Sequence, residues 1–198
     1  MDVVPERLRS VMRRLEELDR ADRTDGTPRG KRLRAVTPEV EEFLLVIALA
    51  TRAKEILEIG TSGGYSTLWL AVAARRNGGH VTTFEIDPAK VEIARETFAD
   101  AGVEDIVHLR AEDAQAGLET LEAAPDLVFL DSEKEQYVVL LPQLISLLQD
   151  GGVLVADNLL SHADDLSAFR ESALAHPSLS GSVVPVGRGE LVAVKLRS

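Results

Sequence analysis

Leu57-Glu58-Ile59-Gly60-Thr61-Ser62-Gly63-Gly64-Tyr65-Ser66 is the stretch on which the reading of the whole chain turns. A short apolar run ends in glycines, and a segment of helical length and composition, Tyr65–Arg76, follows at once. Repeated, such a unit builds a parallel sheet with crossover helices, and here it does repeat. Strands are predicted at Glu55–Ile59, His80–Glu85, Ile106–Arg110, Leu127–Asp131, Val153–Asp157, Ser182–Val186 and Leu191–Leu196. Between the first five lie the predicted helices Tyr65–Arg76, Pro88–Ala101, Ala114–Ala123 and Glu135–Gln149. The last two strands are joined by Gly187-Arg188-Gly189, short enough for a hairpin, so an antiparallel edge is expected. The fold class is therefore α/β: a doubly wound, Rossmann-like sheet of seven strands, mostly parallel, with helices on both faces.

Ligands of such sheets collect beyond the carboxyl ends of the strands, where the winding reverses. At the first such end, glycines let backbone approach a ligand, and the helix starting near Tyr65 offers free N–H groups to an anion. The loop is not a GxGxxG motif, because Gly60 and Gly64 stand four apart, and no Lys-Ser/Thr follows as a phosphate loop requires. The second strand ends at Glu85, 25 residues after Gly60, where a carboxylate accepts both ribose hydroxyls and repels a 2′-phosphate. Asp113, just past the third strand, is placed either to bond an adenine amino group or to cap the next helix. Loop and acid together point to an adenine nucleoside.

Leu127-Val128-Phe129-Leu130-Asp131 ends a buried-type strand in a carboxylate, and Val153-Leu154-Val155-Ala156-Asp157-Asn158 repeats the design and adds an amide. Either acid alone reads equally well as a helix cap. Together, Asp131, Asp157 and Asn158 offer three hard oxygen donors at adjacent strand ends, which suits Mg²⁺ with positions left open for two vicinal substrate oxygens.

The length of 198 residues suggests one domain with an adequate core, and the absence of cysteine excludes disulfides, thiolate zinc and a cysteine nucleophile. The net charge of −11 and only eight aromatic residues argue against a nucleic-acid partner. The charge is uneven. Residues 1–36 carry ten Lys/Arg against seven Asp/Glu, and the remainder carries twelve against twenty-six. Leu8, Val11, Met12, Leu15 and Leu18 recur at helical spacing, so residues 1–36 read as an amphipathic helix, Pro5–Arg20, and a basic linker ahead of a body at 37–198. That helix needs a partner surface, either the body or a second copy across a two-fold axis. Thr37-Pro38 opens another helix, nearly all apolar, reaching Ala50. No membrane span or signal peptide is read, and a cytoplasmic location is expected.

At these residues the chain resembles the cation-dependent class I O-methyltransferases, the family of catechol O-methyltransferase and the caffeoyl-CoA O-methyltransferases. The likeness covers residues 37–196 and rests on Leu57–Thr67, Glu85-Ile86-Asp87, Phe129-Leu130-Asp131 with Lys134, and Ala156-Asp157-Asn158. It implies S-adenosylmethionine as cofactor, bound by Glu58, Gly60, Thr61, Gly64, Ser66, Glu85, Asp113 and Asp131. Gly60 and Gly64 would flank the methionyl part, Ser66 would meet its carboxylate and Glu85 would hold the ribose. It also implies Mg²⁺ or another divalent cation on Asp131, Asp157 and Asn158, with Asp131 and Lys134 as the catalytic pair. Lys134 would be the general base, since a nearby cation disfavours its ammonium form. The expected reaction is in-line methyl transfer to a hydroxyl of a small vicinal diphenol-like acceptor, by a homodimer, with no membrane involved. A tRNA hydroxylated-base methyltransferase and a catalytically silent nucleoside-binding module are the alternatives.

Departures from the family pattern fall on the acceptor side. Leu159-Leu160-Ser161-His162-Ala163 replaces the usual run after Asp-Asn, and Ser132 and Glu133 stand where the catechol enzyme has ring side chains. His162 reads as structural rather than functional. Tyr65, Trp69, Phe98 and Tyr137 are expected in the core or at an interface rather than in the site.

Overall fold

A computed structural model describes residues 3–121 and 123–197. The strands are β1 (Glu55–Ile59), β2 (His80–Phe84), β3 (Val107–Arg110), β4 (Leu127–Leu130), β5 (Val153–Ala156), β6 (Leu179–Val184) and β7 (Glu190–Lys195). The helices are α1 (Glu6–Asp22), α2 (Pro38–Ala50), α3 (Tyr65–Asn77), α4 (Pro88–Ala101), α5 (Ala114–Leu118), α6 (Lys134–Leu147) and α7 (Ser167–Ala175). The sheet runs β3-β2-β1-β4-β5-β7-β6, parallel except for β7, which is antiparallel to both its neighbours. The seven-stranded, mostly parallel α/β fold is thus as expected.

The central strands β4 and β5 are buried at every position, which is why their sequences are unbroken apolar runs rather than alternating ones. Alternate side chains feed two cores. Ile56, Phe129 and Val155 join α1 to α4 on one face, and Leu57, Val128, Leu130 and Leu154 join α6 and α7 on the other. Ile59 is in register with both Phe84 and Leu130, and Leu130 with Ala156. The next residues of the four strands, Glu85, Gly60, Asp131 and Asp157, consequently form one row along the carboxyl edge. The row crosses the switch point between β1 and β4, from which the chain winds outward both ways.

Three departures from the predicted elements stand out. Helix α5 stops at Leu118 instead of Ala123. Helix α7 was not predicted; its core stripe is only Phe169 and Ala173, preceded by Leu166, too short to register as a period. The basic linker is not a loose connection. Leu33 and Val36 are buried, Asp22 accepts the Leu33 N–H at 2.8 Å, and Asp19 accepts that of Ala35 at 3.0 Å.

Helix α1 buries Leu8, Val11, Met12 and Leu15 against α3 and α4. Arg7 donates to the carbonyls of Ala99 and Asp100 at the end of α4, where a cation meets the negative end of the helix dipole. No described helix is long and apolar enough to cross a membrane.

Candidate active site

Beyond the row of strand ends lies a cleft of about 330 Å³. The first loop forms its floor. Gly60 has φ +103°, and a Cβ there would lie 2.2 Å from the Asp131 carbonyl oxygen, so the turn after β1 sits directly on the backbone after β4. Gly64, at φ +89°, caps α3 and would bring a Cβ to 2.7 Å from the Phe98 ring. Ser62 is left-handed without being glycine; its N–H donates to Glu85 Oε2 at 2.8 Å and its hydroxyl to the Leu33 carbonyl at 2.5 Å. The linker thereby becomes a wall of the cleft.

Glu85 Oε1 also accepts the N–H groups of Ile86 and Asp87, both at 2.9 Å, which aims the carboxylate and fills much of its accepting capacity. Thr61 and Ser66 line the cleft. Their hydroxyls face inward, Thr61 pairing with Thr83 at 2.6 Å and Ser66 donating to Glu58 at 2.5 Å. What Ser66 and its neighbours offer an anion is the first-turn N–H groups of α3. Glu58 is fully buried beneath the loop, outside the cleft, accepting from Ser66, Thr67 and Thr83. Burial pushes its pKa up to about 7 even though those hydroxyls oppose the shift. Asp113 lines the far end and caps α5 through the Ala116 N–H at 3.1 Å.

At the other end, Asp131 Oδ1 accepts from Asn158 Nδ2 at 2.8 Å and from Lys134 Nζ at 3.2 Å. Lys134 also donates to the Ser132 carbonyl at 3.0 Å and to the Tyr137 phenol oxygen at 3.1 Å. Tyr137 lies in the core, as expected, and outside the cleft lining, but its hydroxyl supports the site from beneath. Its hydroxyl lies 3.1 Å from the Leu130 carbonyl and 3.2 Å from that of Asp157, tying the ends of β4 and β5 to α6, while its ring stacks edge-on against Phe169. At i, i+3 from Lys134 it is on the same helix face, the one signal by which sequence reading would have found it.

Asp157 and Asn158 are buried, and Asn158 adopts φ +75°, which turns the chain so that its side chain reaches Asp131. Burial raises the Asp157 pKa, and the negative charge of Asp131 raises it further. Two more acids come close that were not foreseen: Glu190 at the start of β7 and Glu41 on α2, both fully buried. Desolvation raises both, with Asp157 adding to the shift of Glu190 and Glu58 to that of Glu41.

Among the described residues, no group of three or more His, Asp or Glu side chains is arranged to hold a metal. The set that sequence reading proposed is smaller, two carboxylates and an amide. Its chemistry fits a hard divalent cation. The donors are oxygen-bearing, Asp131 and Asn158 adjoin at the cleft, Asp157 lies buried behind them outside the cleft lining, and a positive charge would relieve the repulsion that raises Asp157. Asn158 now turns its amide nitrogen to Asp131, so a shared cation would require the amide to rotate and present oxygen.

Comparisons with known proteins identify the family and the fold. The sequence profile of a family described as O-methyltransferase matches residues 12–173. A catechol O-methyltransferase of Mycobacterium tuberculosis is 38% identical over 167 residues, covering 78% of this chain and 76% of its own. The crystal structure of an O-methyltransferase from Bacillus cereus in complex with S-adenosylhomocysteine superposes with a TM-score of 0.81 at 26% identity, over 94% of this chain and 90% of that one. One from Streptomyces achromogenes, involved in tomaymycin synthesis and solved with S-adenosylmethionine, gives 0.80 at 27% identity, over 92% and 89%.

Proposed function

Since the chain belongs to the S-adenosylmethionine-dependent O-methyltransferases, we propose that it methylates one hydroxyl of a small vicinal diphenol with the help of a divalent cation. The observation that carries this reading is the joining of Asp131, Asn158 and Lys134 at the end of the same cleft whose floor is the Gly60 loop. Asp131, Asp157 and Asn158 would hold the cation. When bound, it would polarise the acceptor hydroxyl and lower its proton affinity.

The chain's own residues do the rest. The α3 amides and Glu85 orient the donor so that its methyl group faces the Asp131 end. The acceptor oxygen forms a bond to the methyl carbon as the carbon–sulfur bond breaks, and S-adenosylhomocysteine leaves with the electron pair. The hydroxyl proton would pass to Lys134 Nζ, which Asp131, the Ser132 carbonyl and Tyr137 hold in place and which takes it up after giving one of its own protons to solvent. Little covalent help is needed; holding oxygen and methyl carbon in line at roughly 3 Å supplies several kcal/mol.

Asp157→Ala tests the division of labour. Methyl transfer to catechol should be lost, while S-adenosylmethionine binding measured by calorimetry remains. Loss of both together, in a variant that is still folded, would refute it. The run from Arg29 to Arg34 does not favour a tRNA substrate, because Arg32 donates to the Thr27 carbonyl and Arg34 pairs with Glu133.

A further inference from the structure

Five Lys and Arg side chains line the cleft: Lys134 and Arg34 carry ion pairs, whereas Arg29 on the linker, Lys90 on α4 and Arg188 carry none among the described residues. Lys134 is engaged by Asp131, and Arg34 by Glu133. Arg188 lines the same cleft half-buried, yet its guanidinium has neither an ion pair nor a hydrogen bond among the described residues. In a chain of net charge −11, leaving an arginine uncommitted there is notable, because a partly desolvated cation is costly without a counter-charge.

Its mounting is rigid. Arg188 stands at the tip of the β6–β7 connection, where its carbonyl accepts the N–H groups of Leu160 and Ser161, both at 3.0 Å. The Gly189 carbonyl accepts that of Leu159 at 2.8 Å, and the Gly189 N–H donates to the Val186 carbonyl at 2.8 Å. The flanking glycines are wedged in place: a Cβ on Gly187 would lie 2.3 Å from Val40 Cγ2, and one on Gly189 2.3 Å from Leu160 Cγ. Those bonds tie the tip to the segment directly after Asn158, which places Arg188 at the Asp131–Asn158 end. The expected donor residues Glu85 and Asp113 belong to the opposite flank of the sheet. His162, whose Nδ1 is 3.0 Å from Ser161 Oγ, lines the cleft beside it.

We propose that Arg188 reads an anionic group on the acceptor, so that the preferred substrate is a vicinal dihydroxylated aromatic acid rather than a neutral catechol or a catecholamine. The inference rests on the proposed methyl transfer to vicinal diphenols and narrows it. A planar guanidinium fork matches a carboxylate through two parallel hydrogen bonds, and the half-buried setting strengthens them. The diphenol oxygens would face Lys134 and the Asp131 set, and the carboxylate, across the ring, would face the hairpin tip.

The test compares 3,4-dihydroxybenzoate, catechol and 4-(2-aminoethyl)catechol with Mg²⁺ and S-adenosylmethionine, with products read by mass spectrometry. The wild-type protein should favour the acid over catechol by about tenfold or more in kcat/KM, the scale of a charge-assisted hydrogen-bond pair, with the amine the poorest. In Arg188→Met that ratio should collapse through KM with kcat for the acid little altered, and Arg188→Lys should restore part of it. Using the ratio cancels any general loss of folded protein. Equal use of acid and catechol by the wild type, or a ratio that Arg188→Met leaves unmoved, overturns the inference while the methyl-transfer reading stands. A weakened affinity for S-adenosylmethionine in Arg188→Met also overturns it, because the anion met by Arg188 would then be the donor's own carboxylate. If none of the three acceptors is methylated, the broader reading fails and the inference falls with it.

Discussion

Replacing Gly60 by alanine should disturb the cofactor loop and the catalytic strand end at one stroke. The added Cβ would lie 2.2 Å from the Asp131 carbonyl oxygen and 2.8 Å from its carbon. Ordinary contact between heavy atoms needs roughly 3.5 Å, so one backbone segment must retreat by about 1 Å. A left-handed φ of +103° adds strain of order 1–3 kcal/mol for any L side chain. Clash and strain together should cost about 3 kcal/mol, which lowers the urea midpoint by about 1.5 M when the slope is about 2 kcal/mol per M. Turnover should fall by about a hundredfold, the usual result of a 1 Å misplacement at a reacting centre. Gly26→Ala is the control: its φ is +90°, but nothing lies within 4 Å of the added Cβ. It should show the strain alone, about 1 kcal/mol, and bind S-adenosylmethionine normally. If urea melts and calorimetry show the two variants alike, the seating of the Gly60 turn on the Asp131 backbone is refuted.

Glu58 titrates near 7 rather than at its ordinary 4.5, so its neutral form is the favoured one in the fold. Its contribution is fully present below the unfolded pKa and is lost as pH rises through about 7, to the extent of about 3 kcal/mol. Asp157, Glu41 and Glu190 shift the same way, so Glu58→Gln should flatten only part of the decline in stability between pH 4.5 and 7 in urea melts; an unchanged slope would show that Glu58 is not the buried acid described. Leu15 of α1 is 1% exposed in the main core, so Leu15→Ala should cost about 2–5 kcal/mol, whereas a loss below about 0.5 kcal/mol would mean that α1 does not pack on the body.

The architecture was legible because the sheet interior is covered on both faces: the apolar runs of β1, β4 and β5 have no other use. Their ends were legible too, since an acid that closes such a run, as Asp131 and Asp157 do, has to stand at the carboxyl edge of the sheet. What escaped reading depends on contacts distant in sequence. Nothing local marks Glu190 or Glu41 as buried, because each owes its burial to elements packed from elsewhere. The segment read only as a basic linker is fastened by Asp19, Asp22 and Ser62, partners 11 to 29 residues away. Arg188 read as a turn residue, and its place on the cleft wall follows only from the docking of the hairpin tip on Leu159–Ser161.

Metal dependence is the step on which the catalytic account stands, and methyl transfer to 3,4-dihydroxybenzoate, with S-adenosylmethionine saturating, measures it directly in the presence of Mg²⁺ or of excess EDTA. The account predicts methylated product with Mg²⁺, none after chelation, and recovery when Mg²⁺ is restored. Full turnover in EDTA would contradict it, and would leave Asp131, Asp157 and Asn158 as structural supports of the strand ends.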